Sequence, residues 1–321
     1  MDLVIVGSIS YDDIQTPEAS GSDLLGGAAV YAGLAASHHL VRADEQPTRV
    51  GLVSAVGDDF EPHDQMVLEK AGINLAGVVR RDGSTFRWSG RYSGAMESVE
   101  TLATEVNVLA DFKPEIPSHW SDPEILFCAS THPATQVVVL DQCPGAKLTV
   151  LDSFLFWIET EFETVSEALR KVDLAILNEN EVCALTGEAL LPRAMKALMS
   201  GAALHGGVGA GSGPRALIIK RGGSGVLAQL PCGAIALPAH PTDKIVDPTG
   251  CGDTFAGALL AHLVGRTGAL NDIDVMRRAL IHATVTASYT LGGLGISGIA
   301  SMDRGAYHAR VDRYRRIVGM S

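Results

Sequence analysis

The chain has 321 residues, 46% hydrophobic and 19% charged, with 35 glycines and a formal net charge of −12 at pH 7. That length can bury a substantial core, and that composition excludes a disordered chain. The acidity argues against nucleic acid as the main partner, because no Lys/Arg cluster offers a phosphate-binding face, and no run of about 18 apolar residues offers a membrane span.

The N-terminus, Met1-Asp2-Leu3-Val4-Ile5-Val6-Gly7, has no basic segment and too short an apolar run for a signal peptide. The five cysteines are odd in number and widely spaced, with no CxxC pair. Free thiols in a reducing cytoplasm are expected, rather than a zinc site or disulfides. A soluble, cytoplasmic protein follows.

In chain order, Leu3–Val6, Val50–Val53, Ile125–Cys128, Leu148–Leu151, Leu174–Leu177 and Ala216–Lys220 are short apolar runs that read as buried strands. Helical patterns fall between several of them, at Ala28–His38, Phe60–Ala71, Thr135–Gln142, Glu161–Lys171 and Asn180–Thr186. Strands alternating with helices predict a mainly parallel sheet covered on both faces, with ligands at its carboxyl edge. Thr85–Tyr92 instead alternates with period two, as antiparallel strands do. With residues near 10–26 it suggests a small β-rich lid, spanning about 10–26 and 79–108, on a single domain of residues 1–321. Leu204–Pro214 reads as a glycine-rich surface loop, since it fits neither common phosphate-loop spacing.

Residues 247–260 carry the most chemistry. A turn with Pro248, Gly250 and Gly252 runs into a helix of small residues, with one carboxylate, Asp253, at the joint. The first amides of a helix lack intrahelical partners and carry partial positive charge, and glycines let an anion approach them. A carboxylate there would repel that anion, unless its task is to take a proton from a hydroxyl attacking a phosphoryl group.

This segment, Asp247-Pro248-Thr249-Gly250-Cys251-Gly252-Asp253-Thr254-Phe255, resembles the signature of the PfkB/ribokinase family of small-molecule kinases, D-T-x-G-A-G-D-x-F. The resemblance extends along nearly all of the chain and implies a ribokinase-like three-layer sandwich, α/β, with a mainly parallel sheet and a lid. It implies Asp253 as the base, and the amides of Gly250, Cys251 and Gly252 as the anion hole. Asp247 and Thr249 would lie at the cofactor. Gly7–Asp12 resembles the first strand and the aspartate that grips the acceptor, with Asp12 the best fit and Asp13 its competitor. Gly26-Gly27 resembles the paired glycines beside the acceptor. In the family's sugar kinases the hexad beginning at Gly26 often carries Lys and Asn; here Ala28 and Tyr31 stand there, making the pocket less polar. Asn178 and Glu181 match N-x-x-E, which implies a role around Mg²⁺ and the triphosphate, although the same pair also suits a helix capping box. Lys220, Gly222 and Gly225 resemble the strand and turn over the nucleotide.

The expected reaction is transfer from MgATP to a hydroxyl of a small molecule, the lid covering the acceptor. K⁺ beside the anion hole and a homodimer through the lid are common in the family. A sugar or polyol is the first expectation for the acceptor. The aromatic lid, with Arg87, Trp88 and Tyr92, together with Tyr31, Phe154 and Trp157, leaves a ribonucleoside open. A catalytically idle ligand-binding or regulatory protein with this fold is the alternative of a different class. A dinucleotide-dependent dehydrogenase is disfavoured, because Gly7-Ser8-Ile9-Ser10 lacks the glycine fingerprint. Cys251 replaces the family's alanine, and a thiol at a helix N-terminus should have a lowered pKa and react with alkylating agents.

Overall fold

The first strand sets the layering. In β1 (Leu3–Val6) every residue is buried, Leu3 and Ile5 in one core and Val4 and Val6 in another. Neighbouring strand residues face opposite sides, so an unbroken apolar run requires a sheet covered on both faces. The computed structural model describes residues 1–40, 49–96, 98–266 and 268–320. Residue 97 of the expected lid and residue 321 of the expected domain lie outside them.

After β1 the chain runs out into β2 (Ser10–Gln15) and β3 (Ser20–Gly26), then through α1 (Ala28–Leu40), β4 (Val50–Val56), α2 (Pro62–Lys70) and β5 (Ile73–Arg80). A second excursion forms β6 (Phe86–Tyr92) and β7 (Val99–Glu105). Alternation resumes with β8 (Ile125–Cys128), α3 (Pro133–Gln142), β9 (Leu148–Leu151), α4 (Leu155–Thr160), α5 (Phe162–Arg170) and β10 (Leu174–Asn178). Then come α6 (Glu179–Thr186), α7 (Leu191–Met199), β11 (Ala216–Lys220) and the hairpin of β12 (Val226–Leu230) and β13 (Gly233–Leu237). Helices α8 (Cys251–Ala261), α9 (Ile273–Thr290), α10 (Ser297–Ala300) and α11 (Arg304–Ile317) follow.

Among the described residues, nine strands form the main sheet in the order β13-β12-β11-β10-β9-β8-β1-β4-β5, and four form a second in the order β3-β2-β6-β7. The main sheet is parallel except for the hairpin. Helices α1, α8, α9 and α11 cover one face, and α3, α5, α6 and α7 the other. The chain builds outward from β1 through β4 and β5, then returns to place β8 on its other side. The carboxyl ends of β1 and β8 therefore flank the point where the winding reverses, which is where open α/β sheets bind ligands.

The second sheet is the expected lid, with two corrections. Val79 and Arg80 belong to the main sheet, where they pair with Ala55 and Val56, so the second lid segment begins at Phe86. Strand β6 is antiparallel to β7 but parallel to β2. Both β2 and β6 leave the main sheet from the carboxyl ends of parallel strands, so they run outward together. The segment 204–214 precedes β11 and lies at the sheet's amino edge. There the Arg170 guanidinium donates to the carbonyls of His205, Gly207 and Gly211.

Helices α1 and α8 meet backbone to backbone. A Cβ added at Gly257 would overlap the carbonyl of Ala32. Gly257→Val should force the two helices apart and cost about 1–3 kcal/mol or more, seen as a lower midpoint in urea denaturation.

Candidate active site

Two glycine-led helices start side by side at the carboxyl edge. Before α1, Gly27 has φ +99° and its α-carbon lies against the Ser8 carbonyl. Ser8 then satisfies the helix start: its Oγ accepts from Ala28 N at 3.1 Å and its carbonyl from Ala29 N at 3.0 Å. Before α8, Gly250 has φ +73° and no side chain caps the helix. A Cβ at Gly250 would overlap the Tyr31 ring, so this position requires glycine for its backbone and for its contact. A Cβ at Gly252 would lie 3.0 Å from Lys220 Nζ. An uncapped helix start with an ammonium above it is a site for an anion.

Carboxylates surround this point. Asp12, 4% exposed, accepts from Ser10 Oγ at 2.7 Å and packs on Gly26, where any Cβ would overlap its carboxylate. Asp13 accepts instead from the amide of Asp23 at 2.9 Å, within the lid. Burial, with Asp247 and Asp253 nearby, pushes Asp12 up to about 7 although the Ser10 bond opposes the shift. Asp253 lies in the first turn of α8. Burial and then Asp152 push it up to about 7 against the pull of Lys220.

Asp152, just past β9, forms a buried ion pair with Lys220 at the end of β11, so the pair bridges the end of the intervening β10. Its other oxygen accepts from Ser153 N at 2.9 Å. Gln136 secures the strand ends beneath, donating to the carbonyls of Asp152 at 2.9 Å and Ala129 at 3.0 Å. Burial alone would lower the Lys220 pKa, but Asp152, Glu181 and Asp253 outweigh it and raise it. Glu181 is pushed up to about 8 by burial and then by Asp152.

Asn178 and Glu181 form a complete capping box at the start of α6. Asn178 Nδ2 donates to Glu181 Oε1 at 2.6 Å, Asn178 N to Oε2 at 2.8 Å, and Glu181 N to Asn178 Oδ1 at 2.9 Å. Among the described residues no group of three or more His, Cys, Asp or Glu side chains is placed to hold a metal. Both Glu181 oxygens and the Asn178 side-chain oxygen are taken up within the start of α6.

The remaining expected residues divide. Gly222 (φ +50°) and Gly225 (φ +91°) shape the turn between β11 and β12. Asp247 is fully buried and ties two loops together, accepting from Thr249 N and Gly295 N, both at 2.8 Å. Thr249 Oγ1 meets the Tyr92 hydroxyl of the lid at 3.2 Å. Tyr31 is buried beneath Gly250, and its hydroxyl has no hydrogen-bond partner among the described residues. Trp88 is registered beside Asp12 on the neighbouring strand, and so shares its face. Arg87 is on the opposite face of the lid. It pairs with Asp23 and Asp59 and lies 5.5 Å from the centre of the Tyr11 ring. It ties the second sheet to Asp59 and does not share the face of Asp12.

Cys251 also departs from expectation. Its thiol turns inward, 3.6 Å from the carbonyl of Ala287, and burial followed by Asp247 and Asp253 raises its pKa. These effects outweigh the helix dipole. Sequence reasoning missed the Ser8 cap, the Gln136 clamp and the Tyr92–Thr249 tie, all of which exist only as tertiary contacts. Asp152 directly follows the run Leu148–Leu151, but nothing local in the sequence announces its ion pair with Lys220.

An uncapped, glycine-led helix start, an overhanging ammonium and an adjacent carboxylate, set at the carboxyl edge of a parallel sheet, form an arrangement suited to phosphoryl transfer. A family model, that of the pfkB family carbohydrate kinases, matches residues 2–292. The chain belongs to this family and is accordingly a phosphotransferase acting on a hydroxyl group.

Among curated proteins it is 29% identical over 274 residues to a cytidine kinase of Thermococcus kodakarensis, covering 81% of this chain and 88% of that one. The solved structure of a ribokinase from Giardia lamblia matches with a TM-score of 0.78 at 18% identity, covering 98% of this chain and 99% of that one. The Methanocaldococcus jannaschii nucleoside kinase, an archaeal member of the ribokinase family, matches with 0.72 at 16% identity and the same coverage. No helix among the described residues is long and apolar enough to cross a membrane.

Two outcomes are expected. Were Asp253 the proton acceptor, it would work only when ionised, and kcat/KM for the acceptor should rise with pH through a limb near 7; since Asp12 is also pushed up to about 7, the pH–rate profile of Asp253→Asn is the check, and survival of that limb there would assign it to another group. In the native protein Cys251 should resist iodoacetamide and label readily in urea, as followed by peptide mass spectrometry.

Proposed function

We propose that the chain is a ribonucleoside kinase that uses MgATP, rather than the kinase of a bare sugar or polyol that the sequence first suggested. The observation that carries this reading is the lid face beside Asp12, which bears Trp88 and Tyr92. A free sugar calls for hydrogen-bonding groups all round; a nucleoside also presents a flat base that aromatic side chains can cover. The likeness to a cytidine kinase supports the same choice. The described chain reads as one catalytic domain, with 10–26 and 86–105 as its lid.

In this reading Asp12 accepts hydrogen bonds from ribose hydroxyls, as a carboxylate with two free-facing lone-pair directions can. Asp253 takes the proton of the attacking hydroxyl. The start of α8 and the Lys220 ammonium oppose the negative charge that develops on the transferring group. Bound MgATP supplies that group and neutralises part of its charge. The lid excludes water, which would otherwise compete as acceptor.

Asp253→Asn should keep the fold and the affinity for a nonhydrolysable ATP analogue, while transfer falls about 10²–10⁴-fold. A coupled assay of ADP release should give higher kcat/KM for cytidine or adenosine than for ribose, fructose or inositol. A bare sugar preferred over every nucleoside would overturn the acceptor assignment.

A further inference from the structure

Gly90 is buried in the middle of β6, whereas Trp88, two residues earlier on the same face, is partly exposed. A Cβ built at Gly90 would overlap the Trp88 ring at Cη2 and Cζ2 and lie 2.8 Å from Cζ3. Near-contact with three successive ring atoms means that the six-membered ring lies across the glycine, face to backbone. The indole is thus backed on one side by the strand itself. Asp12 is registered beside Trp88 on β2, and Tyr92, further along the same face, reaches the turn that leads into α8. The indole therefore lies on the lid face that also carries Asp12 and, through Tyr92, meets the turn before α8.

We propose that Trp88, seated on Gly90, is the surface on which the base of the acceptor stacks, and that Gly90 decides whether a base is accepted. This rests on the nucleoside reading above and adds the residues that enforce it. A rigid aromatic plane backed by a strand loses little freedom when a ligand stacks on it. Any side chain at position 90 lifts the indole off the sheet and into the space above Asp12. The slot for the base closes, while Asp253, Lys220 and the start of α8 are untouched. A tryptophan that merely shields a glycine would contribute to stability alone and would not distinguish acceptors.

The test combines fluorescence and kinetics on the full chain. Cytidine and adenosine should quench tryptophan emission in the wild type but not in Trp88→Leu, and ribose should quench neither. KM for the nucleoside should rise roughly tenfold or more in Trp88→Leu, with kcat changing far less, and Trp88→Phe should recover most of the loss. Gly90→Ala should raise the same KM with Trp88 still present. Unchanged nucleoside KM in both Trp88→Leu and Gly90→Ala overturns the proposal and leaves the nucleoside reading intact. So does a lowered thermal midpoint with equal losses for nucleoside and ribose. A wild type that consumes ribose and neither binds nor phosphorylates nucleosides overturns both.

Discussion

The joint between α1 and α8 is the constraint on which the rest depends. Both helices start behind glycines at the same edge of the sheet, and Gly257 lets their backbones touch at Ala32. The ring of Tyr31, a residue of α1, then supports Gly250, the residue from which α8 begins. A left-handed conformation there costs a residue with a side chain roughly 1–2 kcal/mol, before any overlap with the ring. Fixing this joint aims α8 at the strand ends. Of the two adjacent helix starts, that of α1 is satisfied by Ser8 and that of α8 has no side-chain cap. The difference decides which one faces an anion.

Electrostatics at this point is lopsided. Asp12, Asp152, Glu181, Asp247 and Asp253 all hold their protons more tightly than carboxylates in water, and burial is the first cause in each. Lys220 is the cation that opposes three of them. Its pairing with Asp152 is buried, and removing one partner of such a pair commonly costs about 3–5 kcal/mol. The lysine is held where it is by Asp152 and is at the same time set above the start of α8. Structure and chemistry draw on the same charge.

The sequence was readable where physics is local. Buried strands such as Leu174–Asn178 announce themselves as apolar runs, and the 247–255 turn announces a helix start that glycine keeps open. Strand β5 escaped notice because it edges the main sheet and is half exposed, so its pattern is broken. The hairpin β12–β13 alternates in burial, but the apolar Leu227, Ala234 and Ala236 occupy its more exposed positions, which blurs the pattern in the sequence. In the site, Asp12 and Asp13 are neighbours in sequence with opposite surroundings, and only strand pairing separates them. Arg87 and Trp88 pose the same problem: period two sends one to Tyr11 and Asp59 and the other to the face of Asp12. For Cys251, the dipole was legible and the burial that outweighs it was not.

Two of the ties between lid and body meet at one place. Thr16 donates to the carbonyl of Val246 at 2.8 Å, and Tyr92 meets Thr249, so both ties grip the short run of chain that ends in Gly250. Whatever tilts the lid therefore pulls on the residues that orient the phosphoryl end. Acceptor choice and transfer efficiency are mechanically joined in this molecule. Exchanges of whole lid segments that alter Thr16 or Tyr92 would carry a change in turnover along with a change in taste, whereas substitutions at 88 or 90 leave both ties in place.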